Sequence, residues 1–214
     1  MTRLTRRALA LGLAALPLPA LAARPAIAPL SADDRLLVDK AATYLQGLTE
    51  AKGRFVQTDA RGTSTQGTVF LKRPGKARFA YEAPSGLLVV ADGANVSVAD
   101  SRLKTFDRYP LMATPLSIFL ARQIKLDRGV VISDVTRLAD GFTITARDGK
   151  KQAEGQITLT FSNSPMALIG WTVSDAQGQA TRIRLTGLQR TSGLAPTLFV
   201  LNDPRPKSVG RGKM

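Results

Sequence analysis

The sequence predicts a mainly β (α+β) fold: an incomplete, strongly curved antiparallel β-barrel whose lid of short helices encloses an apolar cavity. Three observations lead to it. Segment after segment alternates apolar and polar residues with period two, so each strand has one apolar face, as in antiparallel sheets wetted on one side. About ten such segments occur, against only two helical stretches. The inward residues are often small (Ala77, Ala99, Ala146, Gly187), which leaves room inside instead of filling a closed barrel.

Composition narrows the chemistry. A chain of 214 residues suits one sheet-rich domain. It has no Cys and no His, which removes disulfides, thiol nucleophiles, imidazole bases and nearly every zinc, copper or haem site. No metal and no cofactor are expected. The formal charge is +14; setting aside Arg3, Arg6 and Arg7 leaves +11, and setting aside the basic C-terminal stretch, itself net +3, leaves +8. Such a balance favours anionic surfaces.

Residues 1–22 have a basic start, an apolar run from Ala8 to Leu21 and a small-x-small end at Ala20-Leu21-Ala22, the layout of a secretory signal. The alternative is an uncleaved anchor, but the run is shorter than the roughly 20 residues that span a bilayer. Thr5-Arg6-Arg7 is compatible with the twin-arginine export route. Residues 23–30 form a Pro-containing linker, residues 31–201 one domain, and residues 202–214 a loose basic tail.

Ser31 to Leu48 reads as a helix, with Ser31 as cap, Asp33 and Asp34 in the first turn, and an apolar stripe of Leu37, Ala41, Tyr44, Leu45 and Leu48. The period then turns to two. Phe55–Asp59 is a strand. The stretch Gly67–Asp100 is a run of short strands, with turns at Arg73-Pro74-Gly75-Lys76, Ala83-Pro84-Ser85-Gly86 and Ala91-Asp92-Gly93. Alternation puts Val69, Leu71 and Arg73 on one face, with Ala77, Phe79 and Tyr81 sharing the apolar face of the next strand. Lys104–Arg108 is a further short strand.

Tyr109–Arg122 breaks the rhythm. Thr114 is positioned to cap a short helix with Pro115 at its start, and Leu116, Phe119 and Leu120 make one apolar side. This segment reads either as a lid over a cavity mouth or as a crossover helix plugging a core. Strands centred on Ile144, Leu159, Val173 and Ile183 follow, each apolar on one side, and Thr197–Leu201 reads as a last strand. The candidate cavity lining is therefore Val69, Leu71, Ala77, Phe79, Tyr81, Leu116, Phe119 and Leu120.

Leu48, Phe55-Val56-Gln57, Gly67, Lys72-Arg73-Pro74-Gly75-Lys76, Arg78-Phe79-x-Tyr81, Ala91-Asp92-Gly93 and Thr114-Pro115-Leu116 occur in this order and spacing. The set resembles the periplasmic outer-membrane lipoprotein carrier family, LolA, over about residues 31–200. The resemblance implies a monomeric periplasmic carrier of acylated lipoprotein, loaded by an inner-membrane ABC transporter and unloaded at an outer-membrane acceptor or receptor. It also implies that Arg73 latches the lid in the empty protein. The family often has an aromatic at the position of Ala77, and a Trp and a Tyr where this chain has Ser97 and Ala99, so a differently shaped cavity is expected.

Other readings stay open on the residues alone. The same fold could carry a glycolipid or phospholipid of the envelope. No carboxylate pair sits in an acid/base motif, so an enzyme is not expected. The positive charges are scattered without interleaved aromatics, so no nucleic-acid partner is expected.

Overall fold

A computed structural model of the chain describes residues 29–124, 129–149 and 155–203. The expected leader, residues 23–28 of the linker and the tail beyond residue 203 lie outside the described residues.

Helix α1 (Ala32–Gly47) opens the described chain. Ser31 caps it: its Oγ accepts from Asp34 N at 3.1 Å. Ser31 and Arg137 both hold the Asp34 carboxyl below its usual range, the Ser31 hydroxyl first. Val38, Ala41 and Leu45 are buried, with Leu37 and Tyr44 half-buried beside them. Val38 joins the stripe expected from the sequence, while Leu36 stays exposed.

Eleven strands follow: β1 (Glu50–Thr58), β2 (Ser64–Lys72), β3 (Lys76–Tyr81), β4 (Leu87–Asp92), β5 (Asn95–Asp100), β6 (Thr105–Pro110), β7 (Val130–Leu138), β8 (Gly141–Asp148), β9 (Gln156–Asn163), β10 (Met166–Ser174) and β11 (Ala180–Arg190). Every neighbouring pair is antiparallel, in the order β6-β5-β4-β3-β2-β1-β11-β10-β9-β8-β7. The first and last strands thus meet at the centre, and β6 and β7 are opposite edges of a sheet not closed into a barrel. The chain between β6 and β7 has to cross from one edge to the other. Its residues 111–124 lie over the apolar face and carry helix α2 (Leu116–Leu120). That face, α1 and α2 share one buried cluster, in which Val69, Leu71, Phe142, Ile144, Ile157, Leu159 and Phe161 are fully enclosed.

Two expectations are corrected. Thr197–Leu201 is not a strand. Pro196–Phe199 forms a 3-10 turn, with proline suiting its start. This segment straps the outer face instead: Lys72 Nζ donates to Leu194 O at 2.8 Å, Arg78 Nη1 to Leu198 O at 3.0 Å and Arg108 Nη2 to Leu201 O at 3.1 Å. Beneath it Phe199, Val90 and Ser97 are almost fully buried. The second correction concerns Ser97 and Ala99. Ser97 pairs with Val90 and Arg108, and its Oγ accepts from Arg108 Nε at 3.0 Å. Both residues therefore lie on the outer face, Ser97 under the strap, and neither shapes the inner cavity. Double coverage also explains why β4 and β5 lack a clean alternation of burial.

Candidate functional site

Phe55 on β1 sets the floor of the inner face. Its ring meets Phe79 at 5.6 Å and Tyr81 at 4.9 Å, both edge-on. Gly67 stands between Phe55 and Tyr81 in the strand register. A Cβ there would lie 2.2 Å from Ala80 O and 2.9 Å from Phe55 Cε1. Only glycine lets the two rings touch across that row. Phe79 also packs edge-on against Trp171 at 6.0 Å, and Phe119 of α2 lies over Trp171 at 5.6 Å.

Above this floor a partly open cavity of about 270 Å³ remains. Phe79, Tyr81 and Leu116, expected from the sequence, line it. So do residues that sequence reasoning missed: Gln57, Val89, Thr114 and Pro115, and from strands β10 and β11 of the same face Trp171, Val173, Thr181 and Ile183. The remaining expected residues lie elsewhere. Val69, Leu71, Ala77, Phe119 and Leu120 are at most 1% exposed, packed in the core under and within the lid. The apolar volume is therefore divided: part is open, and part is filled by α2 itself.

The cavity walls are nearly all hydrocarbon. Besides Thr114 and Thr181, the polar side chains there form a pair: the Tyr81 hydroxyl donates to Gln57 Oε1 at 2.6 Å. Burial pushes the Tyr81 phenol up to about 12. Val173 and Thr181 also border a second, polar hollow of about 220 Å³, with Asp59, Arg61, Asp175 and Gln179. Asp59 and Asp175 shape the turns there, each accepting from two backbone N–H groups through Oδ1.

Arg73 sits at the turn between β2 and β3. Its Nη2 donates to Ala121 O at 2.7 Å, just past α2, and its Nη1 donates to Leu45 O of α1. Its buried Nε has no acceptor among the described residues. Burial lowers its pKa, yet a guanidinium stays charged at any physiological pH. The same turn holds the lid through Gly75 N, which donates to Leu120 O at 2.8 Å. Gln46 of α1 adds two more links, donating to Arg122 O at 3.2 Å and accepting from Ile124 N at 2.9 Å. Thr114 does not cap α2 as expected. Pro115 takes that position, and Thr114 Oγ1 instead donates to Leu111 O at 2.8 Å, closing the preceding 3-10 turn Leu111–Ala113.

Residues 46–202 match the family model described as outer membrane lipoprotein carrier protein LolA. The chain belongs to the LolA family. This is a family of non-catalytic binding proteins. The chain is 28% identical over 165 residues to an outer-membrane lipoprotein carrier protein of Methylobacillus flagellatus, covering 73% of this chain and 78% of that one. It is 26% identical over 188 residues to the protein of the same name from Aeromonas salmonicida, covering 82% and 91%. A solved LolA superfamily protein from Nitrosomonas europaea superposes with a TM-score of 0.47 at 10% identity, covering 78% of this chain and 97% of that one. Among the described residues, no helix is long and apolar enough to cross a membrane, and no cluster of acidic side chains could hold a metal.

Proposed function

We propose that this LolA-family protein is a periplasmic carrier that binds the acyl chains of lipoproteins under its lid and shuttles them from the inner to the outer membrane. The observation that carries the reading is the divided apolar volume. One part is an open cavity of about 270 Å³, near the lower end of the ~300–1,000 Å³ usual for ligand pockets. The other part is occupied by Phe119 and Leu120, which belong to a five-residue helix tied down mainly by hydrogen bonds at its C-terminal end. Lifting α2 exchanges those side chains for a ligand of the same chemistry.

Energetics favour a covered carrier. Each buried methylene is worth about 0.8 kcal/mol, so exposing a chain of roughly 16 carbons costs on the order of 12 kcal/mol. Extraction at that cost calls for an energy-coupled loader, hence an inner-membrane ABC transporter as the first partner. Release calls for an outer-membrane acceptor that binds at least as well. A lid whose two states differ little in free energy permits both steps. Arg73 acts as the latch of the closed state, and the leader-like residues 1–22 direct export.

The test is reconstitution. Purified protein is mixed with spheroplasts that are making lipoprotein, and soluble material is analysed by mass spectrometry. Acylated polypeptide bound to the protein is expected. Recovery of diacyl phospholipid or glycolipid alone would instead assign it to another envelope lipid.

A further inference from the structure

We propose that Gln57 selects ligands by their first carbonyl: its side-chain amide donates a hydrogen bond to the ester or amide carbonyl joining an acyl chain to its polar head. This rests on the acyl-carrier reading above and makes it more specific.

The end of β1 leads from apolar to polar. Phe55 is the floor, Gln57 follows two residues on at the cavity wall, and Asp59, in the turn just past the strand, borders the polar hollow. The same gradient runs along β10 from Trp171 through Val173 and on to Asp175 in the turn that follows it. An amphiphile with its tail on Phe79 and Trp171 and its head toward Asp59 and Arg61 places its junction beside Gln57. Acylated molecules carry their carbonyl at that junction.

The amide is also oriented for the task. Tyr81 OH donates to Gln57 Oε1, which turns Nε2 away from Tyr81. Because burial keeps the phenol protonated, it stays a donor across the physiological range. No hydrogen bond engages Gln57 Nε2 among the described residues. A two-donor group in a hydrocarbon wall discriminates against ligands that leave it unpaired.

The experiment compares 1-myristoyl-lysophosphatidylcholine with its 1-O-tetradecyl ether analogue, both below their micelle concentrations. Binding is read by fluorescence of Trp171, the single tryptophan of the chain. Wild type is expected to bind the ester about fivefold tighter, the size of one neutral hydrogen bond. In Gln57→Leu the ratio should fall to about one. Tyr81→Phe, which frees the amide to turn, should give an intermediate ratio and serves if the first variant does not fold. Equal binding of the two probes by wild type, or an unchanged ratio in the variants, overturns the inference and leaves the carrier reading standing. Failure of wild type to bind either probe saturably overturns both.

Discussion

Arg73 donates to Ala121 O at 2.7 Å through Nη2, while its Nε stays buried without an acceptor. The contact joins the β2–β3 turn to the end of the lid helix, and the second donor, Nη1, extends it to Leu45 O of α1. A half-buried cation held by backbone carbonyls, with its Nε buried and unpartnered, is anchored but incompletely satisfied.

Arg73→Leu removes both charge-assisted bonds together with the desolvated charge, so these effects partly cancel in global stability. The lid should respond more. Hydrogen exchange of amides in residues 111–124 is expected to accelerate by about tenfold, a loss of ~1.4 kcal/mol in local closure. Cargo transfer should slow, with lipid retained on the protein. Lid exchange and hand-off at wild-type rates would remove Arg73 from the latch role.

Phe119 is 1% exposed and lies against Trp171. Phe119→Ala should cost about 3–5 kcal/mol if the lid stays shut on the hole it leaves. The same change enlarges the ligand space. Lower urea stability with tighter binding of a C14 lysolipid is the expected pair of results; a stability loss with weaker binding would place Phe119 among the ligand's contacts.

Tyr81 makes stability sensitive at alkaline pH. Its folded pKa, about 12, lies above the ordinary value of 10.0, so the unfolded chain loses this proton first as pH rises. The stabilisation is fully present below pH 10 and is lost between about pH 10 and 12, worth roughly 2–3 kcal/mol. Chemical denaturation of wild type and Tyr81→Phe across pH 9–12 checks the sign: the wild-type advantage should shrink as pH rises.

Gly67 faces a backbone carbonyl that cannot swing aside, since a Cβ would come within 2.2 Å of Ala80 O. Gly67→Ala should therefore destabilise by roughly 1–3 kcal/mol through strand displacement. It should also separate Tyr81 from Phe55. An unchanged denaturation midpoint would show that the β2–β3 pair yields easily.

Local pattern carried much of this architecture. Alternation in Val69–Leu71 and Ala77–Phe79 identified the inner face, and Ser31 with the following apolar stripe delimited α1. What stayed hidden depends on distant pairing. Trp171, Val173, Thr181 and Ile183 reach the cavity because β1 pairs with β11, more than a hundred residues along the chain, and β11 with β10. No local period announces that contact, so only the β2–β3 wall and the lid were seen in the sequence. Strand β7 has no distinct signal in the sequence, because it is an edge with mostly exposed side chains and a register shift between Ile132 and Asp134. Buried depth is equally invisible to alternation: Leu71 and Phe79 share a face, yet Leu71 is sealed in the core while Phe79 borders the cavity. The outer strap reads as a strand in the sequence because Leu198, Phe199 and Val200 are apolar, and the cations that fasten it are far away along the chain.

The most direct test uses the lone tryptophan in the cavity wall. A synthetic triacylated lipopeptide bearing a dibrominated acyl chain quenches indole fluorescence only on contact. Titration should quench Trp171 saturably, and an unbrominated lipopeptide should reverse the quenching by competition. Saturable binding of the lipopeptide that leaves Trp171 fluorescence untouched would contradict a ligand site beneath the lid.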